Sequence, residues 1–281
     1  MAKIIDGKAV AAEVKRGLKE KADFFESKYG RKICLAVIIA GDDPASAIYV
    51  RNKVKACEET NVKSLKYALP ASVPQSELNE LIDALAADDS VDGILVQVPL
   101  PAHLDEREAL SHIPTNKDVD GFSAENVGKL VLKEECSKAC TPSGIIELID
   151  STGVEIEGKR AVVVGRSNTV GKPVALMLLE RNATVTVCHS RTRDLASVCR
   201  EADILVSAVG KARFITADMV KEGAIVIDVG MNRVDGKLYG DVDFDPVSAK
   251  ASYITPVPGG VGPMTVAMLL NNTVKAAYRG K

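Results

Sequence analysis

Two residues that could take part in proton chemistry, Tyr49 and Lys53, lie four positions apart in a segment whose pattern predicts a helix. This spacing places both side chains on the same helix face. A lysine held partly buried can shuttle protons or polarise a water molecule near neutral pH. The pair is also common on ordinary helix surfaces, so by itself it leaves a purely structural interpretation open.

Three further segments carry groups that could bind a small molecule. Gln97 precedes the stiff sequence Pro99-Leu100-Pro101 at the end of an apolar strand, where its amide could be held toward a ligand. Asp120 adds a carboxylate beside the glycine turn at Gly121, although both features could be ordinary turn chemistry. The segment 255–265 is too long and stiff for a simple connection, so we predict a ligand-lining loop.

A second kind of site is indicated by the apolar strand 160–165, which is followed by a polar turn and a helix that begins near Pro173. This order places free backbone N–H groups and a helix N-terminus where a pyrophosphate can bind. Only Gly165 and Gly171 of a GxGxxG pattern are present, so the turn alone is a weak signal.

The next predicted strand indicates which dinucleotide is bound. NAD sites usually place Asp or Glu near the end of this strand, whereas here no carboxylate occurs until Asp194. Arg166 and Arg191 could converge on a 2′-phosphate, while Arg193 is interpreted as a solvated turn residue. NADP is therefore predicted over NAD. Later strands end on Gly210 and Gly230, where open parallel sheets bind ligands.

Alternating helix and strand patterns run through the whole chain and predict an α/β fold with mainly parallel sheets. A charged segment at 133–138 is interpreted as a connection between two α/β domains. The predicted first domain covers residues 1–138 together with the C-terminal helix 264–281, and binds the substrate. The second covers 139–263 and is a Rossmann-type dinucleotide-binding domain, with the active-site cleft between the two.

Composition excludes several other classes. A net charge of −2 without a basic run, together with 4% aromatic residues and no Trp, argues against nucleic-acid binding. The longest apolar run, 33–40, is too short to span a bilayer, and the N-terminus lacks a signal core, so a soluble cytoplasmic protein is predicted. The six cysteines form no metal-ligand pattern and are predicted to be reduced structural thiols.

Taken together, these motifs closely resemble the bifunctional methylenetetrahydrofolate dehydrogenase/cyclohydrolase family. The match runs in order over nearly the whole chain: IDGK at 5–8, DPAS at 43–46, YVRNK at 49–53, VQVPLP at 96–101, KDVDGF at 117–122, CTPSG at 140–144, GRSNTVGKP at 165–173 and TPVPGGVGPMT at 255–265. Departures are small: Ala139 and Ala212 stand where Pro is usual, and Thr169 where Ile or Val is common.

The resemblance implies a main catalytic role for Lys53, with Tyr49 packing on the pterin ring, Gln97 supporting Lys53, and Asp120 holding the amino-pyrimidine edge. The implied substrate-binding residues are Ser46, Tyr49, Val96, Gln97, Pro99, Leu100, Asp120, Pro258, Gly259 and Gly260. The implied NADP-binding residues are Thr141, Gly165, Arg166, Ser167, Val170, Gly171, His189, Ser190, Arg191, Ala208, Val209, Gly210, Gly230 and Thr265.

It also implies the activity: oxidation of methylenetetrahydrofolate with NADP, then hydrolysis of the methenyl product to formyltetrahydrofolate. A homodimer, a role in purine biosynthesis and no metal are expected. A short-chain dehydrogenase, which also carries a YxxxK pair, is disfavoured because its nucleotide turn lies upstream of that pair. Two alternatives stay open, a shikimate-type or amino-acid dehydrogenase and a non-catalytic nucleotide sensor.

Overall fold

The computed structural model describes residues 1–280, except for the side chain of Ala45. In chain order its strands are β1 (Lys3–Ile4), β2 (Cys34–Ala40), β3 (Lys63–Leu69), β4 (Gly93–Val96), β5 (Arg160–Val164), β6 (Thr184–Cys188), β7 (Ile204–Ser207), β8 (Ile225–Asp228), β9 (Asn232–Val234), β10 (Lys237–Tyr239) and β11 (Tyr253–Ile254). Its helices are α1 (Gly7–Tyr29), α2 (Pro44–Glu59), α3 (Gln75–Ala87), α4 (Glu106–Ser111), α5 (Ala124–Leu132), α6 (Cys140–Asp150), α7 (Gly171–Glu180), α8 (Leu195–Arg200), α9 (Phe244–Ser248) and α10 (Val261–Arg279).

The chain divides into two compact units, each named here by its main sheet. The three-stranded unit comprises residues 13–129, 135–138 and 266–281. The six-stranded unit comprises residues 1–12, 130–134 and 139–265. The first twelve residues group with the six-stranded unit because β1 pairs with β11. The sequence-based prediction instead assigns them to the domain that contains Lys53. No helix within residues 1–280 is long and apolar enough to cross a membrane.

The sheet of the three-stranded unit is parallel and has the order β3-β2-β4. Its central strand β2, with the sequence CLAVIIA, is buried along its whole length, as expected for a strand covered on both faces. Strand β3 was not predicted, because it lies at the sheet edge and its partly exposed residues form no continuous apolar run. Beyond β4, the segment around Asp118 extends the sheet through a parallel bridge to Ile94.

The six-stranded sheet is parallel throughout and has the order β1-β11-β8-β7-β5-β6. Since β6 lies on one side of β5 and β7 on the other, the strand order reverses between β5 and β7, the position where open α/β sheets bind ligands. The antiparallel hairpin β9–β10 stands apart from this sheet. The predicted α/β fold with mainly parallel sheets is therefore confirmed.

A few elements differ from the sequence-based prediction. The predicted helix at 216–221 is only a 3-10 turn, Ala217–Met219. The short strands β1 and β11, the β9–β10 hairpin and helix α9 were not predicted, since each has five residues or fewer and shows no recognisable period. All six cysteines are buried and none forms a disulfide, as expected for structural thiols.

Candidate active site

Lys53 is held by Gln97 within the three-stranded unit. Helix α2 carries the partly buried Lys53, whose Nζ donates a hydrogen bond of 2.9 Å to Gln97 Oε1. The amide is itself oriented, because Gln97 Nε2 donates to the carbonyl oxygen of Val98 at 2.7 Å. The backbone N–H of Gln97 extends the pairing of β4 with β2, because it donates to the carbonyl oxygen of Ile38 at 2.8 Å. The ammonium group therefore has a defined position at the carboxyl end of β4.

The start of α2 places two other predicted residues. Asp43 is the N-cap, and its Oδ2 accepts a hydrogen bond of 2.7 Å from the backbone N–H of Ser46, the arrangement that satisfies a free helix donor. Ser46 is buried, whereas Tyr49 is 41% exposed one turn before Lys53. An exposed aromatic ring beside an oriented ammonium group is suited to contact a flat ligand.

The segment that carries Asp120 is anchored from several elements. Lys117 is buried, and its Nζ donates to the carbonyl oxygens of Leu85, Ala86 and Asp88 at the end of α3. A cation at the negative end of a helix dipole is stabilising. In addition, a Cβ on Gly93 would lie 2.5 Å from Val119 Cγ1, so only glycine lets the segment approach β4 this closely.

Two neighbouring carboxylates of this segment have different surroundings. Asp118 is buried, and its oxygens accept from the backbone N–H groups of Gly121 and Ser123 and from Asn126 Nδ2, at 2.8–2.9 Å. Through these hydrogen bonds, Asp118 stabilises the turn. Asp120 is only partly buried, and it lies two residues beyond Asp118, the partner of Ile94. Asp120, rather than Asp118, is thus the carboxylate accessible to a ligand.

The remaining predicted substrate residues divide between the units. Val96 and Leu100 are buried and Pro99 is exposed, and the backbone N–H of Leu100 donates to Glu106 Oε1 at 3.0 Å. Pro258, Gly259 and Gly260 belong to the six-stranded unit, not to the unit that holds Lys53. There the loop lies against the start of α1, where a Cβ on Gly7 would lie 1.8 Å from the Gly260 oxygen.

In the six-stranded unit, the turn between β5 and α7 is built on two close backbone approaches. Gly165 has a φ of +128°, and a Cβ there would lie 2.3 Å from the carbonyl oxygen of Ala208. A Cβ on Gly171 would lie 2.2 Å from the oxygen of Gly165. These contacts pack the turn closely against the residue that follows β7, at the reversal point of the sheet.

One detail of this turn differs from the prediction of free N–H groups at the start of α7. Ser167 Oγ accepts hydrogen bonds from the backbone N–H groups of Val170 and Gly171, at 3.1 and 3.2 Å. The local serine thus caps the helix donors nearest to it. Arg166 and Ser167 are exposed at the same turn. Thr141, also predicted for this site, pairs with Thr265 through their hydroxyl groups at 2.9 Å.

The end of β6 has the polarity expected for a phosphate site. His189 Nδ1 accepts the backbone N–H of Arg191 at 3.1 Å, and the His189 N–H donates to Thr192 Oγ1 at 2.8 Å. These bonds shape a tight turn that exposes Ser190 and Arg191. Asp194, the first carboxylate after the strand, is the N-cap of α8 and accepts from Ser197 N–H at 3.3 Å. The Asp194 carboxylate therefore serves as a helix cap.

Two buried carboxylates that the sequence analysis did not single out organise the loops after β7 and β8. Asp241 accepts from the backbone N–H groups of Val209, Gly210 and Lys211, at 2.7, 3.2 and 2.9 Å. Asp228, at the end of β8, accepts from the backbone N–H groups of Gly230, Asp241 and Val242 at 2.8–2.9 Å. In the sequence, these two aspartates are distinguished only by their position next to a glycine or an apolar strand.

Burial raises the pKa of Asp228 to about 6, although its three backbone hydrogen bonds act in the opposite direction. The nearby Asp241 carboxylate adds to the increase. Close packing enforces this arrangement, because a Cβ on Gly240 would lie 1.8 Å from Asp228 Oδ2. Asp228 is thus an acidic group whose charge changes in the weakly acidic range.

Comparison with known proteins gives concordant matches over both units. A family model described as the catalytic domain of tetrahydrofolate dehydrogenase/cyclohydrolase matches residues 5–120, and one described as its NAD(P)-binding domain matches residues 139–281. The bifunctional protein FolD of Moorella thermoacetica is 58% identical over 279 residues, which cover 99% of both chains.

Solved structures agree. A bifunctional FolD methylenetetrahydrofolate dehydrogenase/cyclohydrolase from Campylobacter jejuni has a TM-score of 0.96 at 53% identity, with 99% of both chains covered. A Trypanosoma brucei methylenetetrahydrofolate dehydrogenase-cyclohydrolase, solved with NADP and an inhibitor, has a TM-score of 0.93 at 43% identity, covering 99% of this chain and 98% of that one.

Proposed function

The chain belongs to the tetrahydrofolate dehydrogenase/cyclohydrolase family, and we propose that the residues around Lys53 and the loops around Gly165 carry its two reactions. The enzyme oxidises 5,10-methylenetetrahydrofolate to the 5,10-methenyl form with NADP, and hydrolyses the methenyl form to 10-formyltetrahydrofolate. The observation that carries the assignment of the site is the Lys53–Gln97 hydrogen bond at the carboxyl end of β4. It joins, over 44 positions of the chain, two of the residues that the resemblance implies for catalysis.

The residues at the β5–β7 reversal point fit NADP. Glycines 165 and 171 permit the close backbone packing of the turn after β5. Ser167 is exposed, and its hydroxyl can still donate a hydrogen bond to a phosphate oxygen. Arg166, Ser190 and Arg191 are exposed, and Asp194 is turned into the cap of α8. Arginine bonds a 2′-phosphate in a bidentate way, whereas a carboxylate at this position would repel it. When bound, NADP supplies the hydride acceptor.

The folate is held, in this proposal, by the side chains of the three-stranded unit. A carboxylate such as Asp120 can accept two parallel N–H bonds from the amino-pyrimidine edge of the pterin. Tyr49 supplies an exposed ring for packing against the pterin face. These residues orient the reacting carbon, and alignment alone can contribute several kcal/mol to catalysis, of the order of 7–11 in favourable cases.

Lys53 acts in the second step. Water adds to the methenyl carbon and loses one proton, which gives a neutral carbinolamine. The carbinol hydroxyl then loses its proton as the bond from that carbon to one ring nitrogen breaks and this nitrogen takes up a proton. The carbon becomes a formyl group, and one proton is released overall. Lys53 Nζ polarises the attacking water or relays its proton, and Gln97 Oε1 keeps the amine oriented by accepting one of its N–H bonds. The Gln97–Val98 hydrogen bond fixes which end of the amide faces Lys53.

The test is Lys53→Met, which preserves the length of the side chain and removes the amine. We expect hydrolysis of methenyltetrahydrofolate to fall by roughly 100-fold or more, as is typical for loss of a general acid or base. Lys55→Met is the matched control, since Lys55 is exposed on the same helix and should leave the rate unchanged. Hydrolysis at the wild-type rate in Lys53→Met would refute the assignment.

An assay of folate oxidation tests the two alternative functions that the sequence leaves open. A shikimate-type or amino-acid dehydrogenase would not turn over methylenetetrahydrofolate, and a nucleotide sensor would bind NADP without turning over either folate. A single absorbance measurement of methenyltetrahydrofolate formation, with NADP and with NAD, separates the proposed enzyme from both alternatives. We expect formation to be faster with NADP.

We further propose a cytoplasmic homodimer without nucleic-acid partners, whose formyl product serves purine biosynthesis. Support for the dimer comes from β6, an outer strand of the six-stranded sheet. Val187 on this strand is 39% exposed, and Leu179 on the preceding helix is 58% exposed. An unpaired strand edge with apolar side chains is a template for pairing with a second chain. The net charge of −2 supports the absence of a nucleic-acid partner.

A further inference from the structure

Asp241 makes an unusual set of contacts for a residue outside both predicted sites. Its side chain is fully buried and receives five donors: the backbone N–H groups of Val209, Gly210 and Lys211, the amide of Asn232, and the hydroxyl of Ser207. Three consecutive N–H groups pointing at one carboxylate fix the course of the chain directly after β7.

This stretch of chain lies where the dinucleotide is expected. The carbonyl oxygen of Ala208 is the group that Gly165 approaches, so the loop after β7 and the turn after β5 form the two sides of the reversal point. Without the carboxylate, three adjacent N–H groups would point at a buried position with no acceptor, which is unfavourable. The loop would then rotate to satisfy them elsewhere.

Asp241 is in turn held from its other side. Its backbone N–H donates to Asp228 Oδ1 at 2.8 Å, and the N–H of Asp228 donates to Thr255 Oγ1 at 2.7 Å. Glycine at 230 is required for this approach, since a Cβ there would lie 2.3 Å from the N and Oδ1 atoms of Asp241. A connected series of buried bonds thus joins the ends of β7 and β8.

We propose that Asp241 is a positioning residue for NADP, which holds the loop Ala208–Lys211 in the conformation that accepts the dinucleotide. The inference rests on the proposed function, because it takes Ala208, Val209 and Gly210 to be part of the NADP site. Asp241 lies in the six-stranded unit, whereas Lys53 and Gln97 lie in the three-stranded unit. Its loss should therefore affect one of the two reactions far more than the other.

The first test is Asp241→Asn, which keeps the shape but replaces one acceptor oxygen by an NH2 group facing backbone donors. We expect the KM and the Kd for NADP, the latter measured by titration calorimetry, to rise by roughly 10-fold to 100-fold. Hydrolysis of methenyltetrahydrofolate without added NADP should stay within about twofold of wild type. Asp245→Asn, an exposed acidic residue of the same segment, is the matched control and should leave all three values unchanged.

A measurement without any ligand complements the kinetics. Hydrogen–deuterium exchange of the amides of Val209, Gly210 and Lys211 should be faster in Asp241→Asn than in the wild-type enzyme, while the strand β5 stays protected. If Asp241→Asn does not fold, Asn232→Ala decides the question. Asn232 is only partly buried, and its removal deletes one donor to Asp241, so a smaller rise in KM for NADP is expected with hydrolysis retained.

The outcomes are distinguishable. If the wild-type enzyme lacks both folate reactions, the proposed function fails. If wild type has both, and a folded Asp241→Asn variant retains its affinity for NADP and its amide protection, only the positioning role is overturned. An equal loss of both reactions would also overturn it, because that pattern indicates general destabilisation.

Discussion

At the scale of single residues, carboxylates with similar sequence neighbourhoods have different tasks. Asp118 and Asp120 lie two positions apart. Asp118 is buried and accepts three hydrogen bonds from nearby residues, whereas the side chain of Asp120 is only partly buried. Asp228 and Asp241 are buried and face backbone N–H groups rather than cations. Burial favours the neutral form of a carboxyl group, and hydrogen bonds from N–H donors favour the ionised form.

The balance of these effects at Asp228 leads to a prediction about pH. Its folded-state pKa of about 6 lies above the ordinary aspartate value of 3.8, so the folded protein binds a proton that the unfolded chain releases in this range. The contribution of Asp228 to the free energy of unfolding therefore decreases as pH rises from about 4 to about 6. At about 1.4 kcal/mol per pKa unit the decrease amounts to roughly 3 kcal/mol.

The measurement is an NMR titration of the side-chain carboxyl carbon of Asp228, for which we expect a midpoint near pH 6. The resonance is assigned by its absence in Asp228→Asn. A midpoint for Asp228 at or below about pH 4, the range of ordinary aspartates, would contradict the prediction.

At the scale of elements, the turn from β5 into α7 depends on backbone conformation more than on side chains. Gly165 combines a positive φ with an approach to Ala208 that leaves no room for a Cβ. Residues with a side chain adopt such a φ only at a cost, and here the neighbouring atom is backbone that cannot move aside.

Gly165→Ala should therefore lower the free energy of unfolding of the enzyme by about 1–3 kcal/mol and abolish detectable NADP binding. Gly128→Ala is the control, because nothing lies within 4 Å of the added Cβ in helix α5, and it should be neutral or stabilising by up to about 1 kcal/mol. Denaturant unfolding and calorimetric titration with NADP measure both effects. A Gly165→Ala variant with wild-type affinity would show that the turn is not the dinucleotide site.

At the scale of the whole molecule, the proposed dimer can be tested through the free edge of the six-stranded sheet. Val187→Lys places a charge on the outer strand β6, a substitution that prevents edge pairing. We expect light scattering to show wild-type enzyme at twice the mass of one chain and Val187→Lys at the mass of one chain. Val234→Lys, at an equally exposed position on the β9–β10 hairpin, should remain dimeric. A monomeric wild type, or a dimeric Val187→Lys, would rule out this interface.

Much of the fold was predictable, because continuous apolar runs such as Ile33–Ile39 and Val162–Val164 report burial directly. Short edge elements were not. Strand β1 has two residues and β3 alternates irregularly between exposed and partly buried positions, so neither carries a local signal. Their strand conformation follows from pairing with β11 and β2.

The class of chemistry can be predicted from the sequence alone, which has a lysine and a tyrosine on one helix face, a glycine turn after an apolar strand, and no carboxylate at the end of the next strand. These signals are local, since they depend on spacings of a few residues. Which carboxylates stabilise the fold depends instead on contacts between residues that are distant in the sequence. Asp241 accepts hydrogen bonds from residues about thirty positions away, and Gln97 reaches Lys53 across 44 positions. Contacts of that kind arise only when the sheets have formed, because parallel strands bring together chain ends that are remote in sequence.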